Sequence, residues 1–380
     1  EYHGRLAGTE GEARAADYLV RELAAMGVGP ASGDSYAQPV EIRGTRFTAG
    51  AILSVGELKL RHRIDFGESW ITSGGTHEGE LLVARDGEDV DAPLAGKFVL
   101  IPEKPEGFDL EATVEGGIEQ GIAGLLFEEG EPRWFRKSGA LTEGLGIPVL
   151  RVRKGVAAAL AHRAGARVSV RLPVESHRAT GSNILGLLDA ERPTATTLAL
   201  TAHYDHIGDD PGGHRYPGAL DNATGVSVVL ELARELRAER LPYNVLVCFL
   251  TGEEAGLLGA KELVRHPPRP LSGVINLDVV GLDPELKQLR IGPVQEENWL
   301  PALAQEVLAE RGIEARRLKG RDDAAVFLGE GIPTLGLGEY RLHGLGPSIH
   351  TPDDRPEAVH VQALAKALGA VREILGRIHR

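Results

Sequence analysis

The sequence has one cysteine, one methionine and few aromatic residues, which make up 5% of its 380 positions. A single thiol allows no internal disulfide, and Cys248, inside the apolar run Val245-Leu246-Val247-Cys248-Phe249-Leu250, reads as a small buried hydrophobe. A chain without disulfides can occupy any compartment, so cysteine usage leaves location open. No apolar run approaches the ~20 residues needed to span a bilayer, which excludes membrane insertion by a helix. Basic residues are outnumbered, 42 Lys and Arg against 55 Asp and Glu, and no basic cluster with interleaved aromatics interrupts the net charge of −13. Phosphate backbones are repelled by such a chain, so nucleic acid is not an expected partner. Internal repeats and low-complexity tracts are also missing. The chain opens on Glu1 rather than methionine, which suggests a leader removed or trimmed; the expectation is a secreted or cell-envelope protein, with the cytoplasm left open.

What remains is an ordinary globular composition, 42% apolar and 26% charged. The length suits two domains, because single cores rarely grow past ~250 residues. Thr9 and Glu12 form a capping-box pattern ahead of a helix with Ala16, Leu19, Val20 and Leu23 on one face, and Gly27 is its natural stop. From about Arg43 the texture changes to short β-like runs between Gly, Pro and acidic turns. Strands are expected over 94–101, 122–127 and 146–152, with helices over 110–121 and 155–163. The implied organisation is an amino-terminal segment over residues 1–42, a separate β-rich module over 43–175, and a main domain over 176–380.

After Ser182 the pattern becomes strand, loop, helix, repeated, which predicts an α/β fold: a mainly parallel, mixed sheet sandwiched by helices. Candidate strands cover 198–202, 245–250, 274–277 and 334–337. A helix after Asn222 carries Val226, Val229, Leu230 and Ala233 on one stripe, and a last helix covers roughly 356–378. Ligands bind outside the carboxyl ends of strands in open α/β sheets. His203 follows the first of these strands, Glu253 and Glu254 the second, and Asp278 the third. Asp221 closes a Gly-rich loop, and His350 lies in a loop shortly after the fourth strand.

Taken singly, each residue has a plain reading: Asp221 as a helix cap, Glu253 and Glu254 as complements to a helix dipole, His350 as a turn residue. Together they converge on one crevice. Asp221, Glu254 and Asp278 bring three negative charges, and Glu253 adds a fourth, a cluster that demands cations. Two Zn²⁺ ions balance three ligand carboxylates plus one bridging hydroxide and leave Glu253 free as general base. Imidazole and carboxylate donors without thiolate suit zinc in an open site, with Co²⁺ or Mn²⁺ as substitutes. Asp205, two residues after His203, is placed to accept that ring's other N–H. Tyr340 is a candidate oxyanion stabiliser.

These residues lie in Ala202-His203-Tyr204-Asp205, Gly218-Ala219-Leu220-Asp221-Asn222-Ala223-Thr224-Gly225, Thr251-Gly252-Glu253-Glu254-Ala255-Gly256-Leu257-Leu258-Gly259, Asn276-Leu277-Asp278 and Ile349-His350-Thr351-Pro352-Asp353. In this order the sequence resembles the co-catalytic zinc aminopeptidases, the family of bacterial leucyl aminopeptidases, aminopeptidase Y and glutamate carboxypeptidase II. The resemblance implies hydrolysis of the first peptide bond of substrates with a free amino terminus. It implies that Asp221 bridges two metals, that His203 and Asp278 complete one position and Glu254 and His350 the other, and that Glu253 is the base. A cis peptide after Asp221 is also implied. Residues 43–175 resemble a protease-associated domain inserted into the peptidase. Arg321-Asp322-Asp323 departs from the Ser-Asp-His usual in relatives, which implies altered pocket contacts, and Asn222 replaces an Asp found in some of them. The resemblance leaves other readings open: a non-catalytic binding protein, or carboxypeptidase, dipeptidase, deacylase or one-zinc glutaminyl cyclase chemistry.

Overall fold

The computed structural model describes residues 3–84, 93–138, 145–295, 297–317, 322–339 and 349–378. Two compact units emerge. The first comprises Glu1–Ile42, Arg178–Asp209 and Arg215–Arg380; the second comprises Arg43–His177 with Asp210–His214.

The first unit is built on a mixed sheet whose centre is four parallel strands, β1 (Thr197–His203), β2 (Asn244–Leu250), β3 (Gly273–Leu277) and β4 (Thr334–Gly338), in the order β2-β1-β3-β4. Every residue of these four strands is buried, which is why they read as continuous apolar runs rather than alternating ones. Val174–Leu188 flanks β2 antiparallel, and Gln288–Gly292 flanks β4 antiparallel. One face of the sheet packs on the helices Glu10–Ala25, Thr224–Ala238, Leu300–Glu310 and Val361–Arg377. The other face, with Cys248, packs on Ala260, Leu263 and Phe327 of two shorter helices.

Three local expectations change. The first helix does begin at Glu10 and ends against Gly27, whose φ of 71° is left-handed. Its capping box does not form: the Thr9 hydroxyl donates to the Leu6 carbonyl, and Glu12 accepts from the Gly8 amide instead of from Thr9. The stripe on Thr224–Ala238 is centred on Val228, Val229, Leu232, Ala233 and Leu236, with Val226 and Leu230 at its flanks. The last helix is broken in two, a turn at Pro356–Ala358 and a helix from Val361 to Arg377. Between them Val359 and His360 are extended, because the His360 amide bonds the Gly281 carbonyl at 2.9 Å rather than a carbonyl of its own turn.

The second unit is a sheet of eight strands among the described residues, with Lys97–Ile101 at its centre flanked by parallel partners Gly75–Val83 and Gly124–Glu128. Two helices, Leu110–Glu119 and Lys154–Ala161, cover it. Its interior holds a charge: Arg63 has no exposed surface and pairs with Glu68 at 2.6 Å and Asp210 at 2.7 Å. Burial alone would raise the Glu68 carboxyl, but Arg63 and His62 hold it well below the usual carboxylate range. Its folded pKa lies under its unfolded value of ~4.3, so this stabilisation is complete above that value and disappears as pH falls below it. Removing Glu68 leaves Arg63 and Lys137 against Asp210 alone, an excess of buried positive charge that costs about 3–5 kcal/mol. Glu68→Gln should therefore lower the stability of this unit by that amount at neutral pH, with the difference from the parent narrowing in acid. Urea unfolding followed by tryptophan fluorescence checks this; an unchanged midpoint at neutral pH would contradict it.

Candidate metal centre

The site is assembled at the carboxyl edge of the parallel strands. His203 is the last residue of β1, Asp278 directly follows β3, and Glu253 and Glu254 lie in the turn after β2. Asp221 sits between β1 and the helix Thr224–Ala238, and His350 in the segment after β4. The structure brings five of these side chains into two groups that share Asp221. His203 Nε2 lies 3.2 Å from Asp221 Oδ1 and 3.3 Å from Asp278 Oδ1. His350 Nε2 lies 3.1 Å from Asp221 Oδ2 and 3.0 Å from Glu254 Oε1. His203, Asp221 and Asp278 form one set of donors within metal-binding range; His206, Asp221, Glu254 and His350 form the other.

The donor set fits a cation. Ligands held at about 2.0–2.1 Å from a tetrahedral ion stand about 3.3 Å from one another, the spacing found here. Glu254 Oε1 is the sharper sign: it is buried beside two imidazoles yet has no hydrogen bond of regular geometry among the described residues. An oxygen so placed faces a point between its neighbours. The electrostatics agree. Burial opposes charge on Asp221 and Glu254, yet the neighbouring imidazoles hold Asp221 well below the usual range and Glu254 down to about 2. Burial also opposes the imidazolium forms of His203 and His350, and the surrounding carboxylates outweigh it, Glu253 foremost for His203 and Glu254 for His350. The cluster calls for positive charge, which protons or divalent ions can supply.

Glu253 is placed differently. Burial raises its carboxyl well above the ordinary value, Glu254, Asp278 and Asp323 add to that rise, and His203 partly offsets it. It belongs to neither donor set. Asp205 also departs from expectation. Its carboxylate is 3.7 Å from His203 Nδ1, and the nearer acceptor is its own carbonyl at 3.3 Å. The carboxylate instead accepts the amides of Glu253 and Glu254, at 3.2 and 3.4 Å, and so fixes the turn that carries both glutamates. Tyr340 and Arg321 lie outside the described residues. Asp322 caps the helix Asp323–Gly329 and pairs with Arg290 at 2.5 Å. Asp323 is buried, and neither carboxylate oxygen has a hydrogen bond among the described residues.

Several residues position the site in roles that the sequence did not signal. Asp354 accepts the amides of Leu220 at 2.6 Å and Asp221 at 3.2 Å, tying the His350 segment to the Asp221 loop. Asn222 donates to the Leu277 carbonyl and accepts from Gly225 and Val279, which links that loop to Asp278; the donated bond needs the amide that an ionised Asp lacks. The Asp221–Asn222 peptide is cis. Arg5 donates to the carbonyls of Tyr204, Pro217 and Gly218. Glu12 accepts from the hydroxyls of Tyr204 and Thr251 at 2.7 and 2.6 Å, so the first helix braces the ends of β1 and β2. All of them act through backbone groups or interior hydroxyls, which no spacing rule reveals.

Residues 183–375 match the model of peptidase family M28, just over half of the chain, and the chain belongs to that family. Among curated proteins it is similar to aminopeptidase YwaD of Bacillus subtilis, 27% identical over 234 residues that cover 59% of this chain and 50% of that protein. The chain thus spans about half the length of this relative, and less of others. Among solved structures the fold resembles the zinc aminopeptidase BSAP from Bacillus subtilis, with a TM-score of 0.73 at 21% identity, covering 98% of this chain and 90% of that one. The aminopeptidase from Aneurinibacillus sp. strain AM-1 gives 0.70 at 20%, covering 97% and 89%.

Partners that orient ligands from behind commonly contribute about 10–100-fold to metal affinity. Asp354→Ala should weaken zinc binding by that order while leaving all donors in place. Competition against a chromogenic chelator measures it, and an affinity equal to the parent's would contradict the positioning role.

Proposed function

We propose that this chain is a two-zinc aminopeptidase, with His203, Asp221 and Asp278 around one ion and Asp221, Glu254 and His350 around the other. The observation that carries the reading is Asp221, whose two oxygens each face a separate imidazole–carboxylate pair. Membership of peptidase family M28 and the names of the relatives, aminopeptidases and zinc metalloproteases, support it. Zinc bound in these groups polarises a scissile carbonyl and makes water acidic enough to act as a nucleophile near neutral pH. Glu253 accepts the proton from the attacking water and hands it to the leaving amine, a task that suits a carboxylate beside the donors but outside both sets. Asp205 keeps Glu253 in register through its amide. The second unit fits the reading as a protease-associated module inserted into the peptidase.

Elemental analysis should find close to two zinc ions per chain, and saturation at one would sink the two-metal reading. Aminoacyl-nitroanilides should be cleaved, and their N-blocked forms should not; chelator should abolish turnover and zinc restore it. Glu253→Ala should keep its zinc and lose about 10²–10⁴ of its turnover. Loss of metal together with activity would show that Glu253 is a ligand rather than the base.

A further inference from the structure

His206 has no part in the reading above, yet it stands inside the site. Its side chain is fully buried, and neither ring nitrogen has a hydrogen-bond partner among the described residues. Nδ1 lies 3.0 Å from Glu254 Oε1 and 4.0 Å from Asp221 Oδ2. Nδ1 and Oε1 are thus in polar contact, yet neither atom has a hydrogen bond of regular geometry among the described residues. His206 belongs with Asp221, Glu254 and His350 to one cluster of donor atoms within metal-binding range of one another. The same Oε1 is also 3.0 Å from His350 Nε2, and the two rings meet edge to face with centroids 5.5 Å apart.

The backbone around His206 fixes this orientation. Its amide donates to the Arg5 carbonyl at 3.0 Å. Gly218, with φ of 61°, lies flat against the ring: a Cβ there would stand 2.7 Å from two ring carbons. Arg5 in turn holds the Gly218 carbonyl at 3.0 Å. The ring is thus packed against the loop that carries Asp221, with no room for a side chain at Gly218.

We propose that His206 is a further protein donor, through Nδ1, to the cation position formed by Asp221, Glu254 and His350. The two positions are then unequal. One has four protein donors, two of them imidazoles; the other, at His203, Asp221 and Asp278, has three donors and more room for water or substrate. The four-donor position fills first and empties last. This inference rests on the two-zinc reading.

The test counts imidazole ligands directly. The full chain is prepared with isotope-labelled histidine rings and loaded with a spin-active cadmium isotope, and one-bond cadmium–nitrogen splittings are recorded. Three histidines should be split, with that of His206 on Nδ1, and His206→Gln should leave two. Two split rings in the parent, those of His203 and His350, would overturn the proposal and leave His206 as a residue that only orients Glu254. No splitting at His203 or His350 would overturn the two-zinc reading itself. The outcome in the parent stands even if the variant fails to fold.

Discussion

Asp221 faces His203 with one carboxylate oxygen and His350 with the other, at 3.2 and 3.1 Å. Around it stand Glu254 and Asp278, and close by are Glu253, Asp205, Asp323 and Asp354. So many acidic groups in a buried edge repel one another, and every element of the first unit can be read as a device to hold them in place despite that repulsion. The sheet provides the platform: parallel strands buried on both faces end at one edge, and their termini are where His203, Asp278 and the Glu253–Glu254 turn arise. The remaining precision comes from polar contacts to the backbone. Asp354 grips the amides of Leu220 and Asp221, Asp205 grips those of Glu253 and Glu254, and Asn222 laces the Asp221 loop to the end of β3. A carboxylate that binds two amides is satisfied without a cation, so these acids do not compete for metal with Asp221, Glu254 and Asp278.

The parts legible in the sequence are those set by a repeating pattern or a donor type. Apolar runs such as Val245–Leu250 mark buried strands because few polar groups survive between two helix layers, and those that do are paired, as Thr201 is with Asn276. The five donors stood out because His203 and Asp278 directly follow such runs, Glu254 comes soon after another, and Asp221 and His350 lie in the loops beyond. What stayed hidden depends on geometry that spacing does not encode. Glu12 looked like half of a capping box, and the structure turns it inward to the hydroxyls of Tyr204 and Thr251, where it joins two strand ends to the first helix. Asp205 looked like a partner for the ring of His203, and the turn of the chain aims its carboxylate at amides instead. His206 passed unnoticed because it lies next to stronger signals, and Arg5 because its work is done on carbonyl oxygens 199 or more positions away. The break before Val361 was invisible for the same reason, since the competing acceptor at Gly281 is remote in sequence.

The second unit shows a different balance. Its sheet is covered by two helices, yet it retains a guanidinium in its interior, matched by Glu68 and Asp210. Replacing such a trio with apolar residues often costs little stability, whereas removing one member is severe. Asp210–His214, which leave the first unit's chain between β1 and Asp221, are counted in this second unit, and Asp210 is the member of the trio that they contribute.

Asp221 is proposed to stand between two metal ions. Anomalous diffraction from zinc-loaded crystals, collected on both sides of the zinc absorption edge, tests it most directly. Two peaks about 3.5–4 Å apart, one on each side of the Asp221 carboxylate, are expected. A single peak, or two peaks that do not share Asp221, would contradict it.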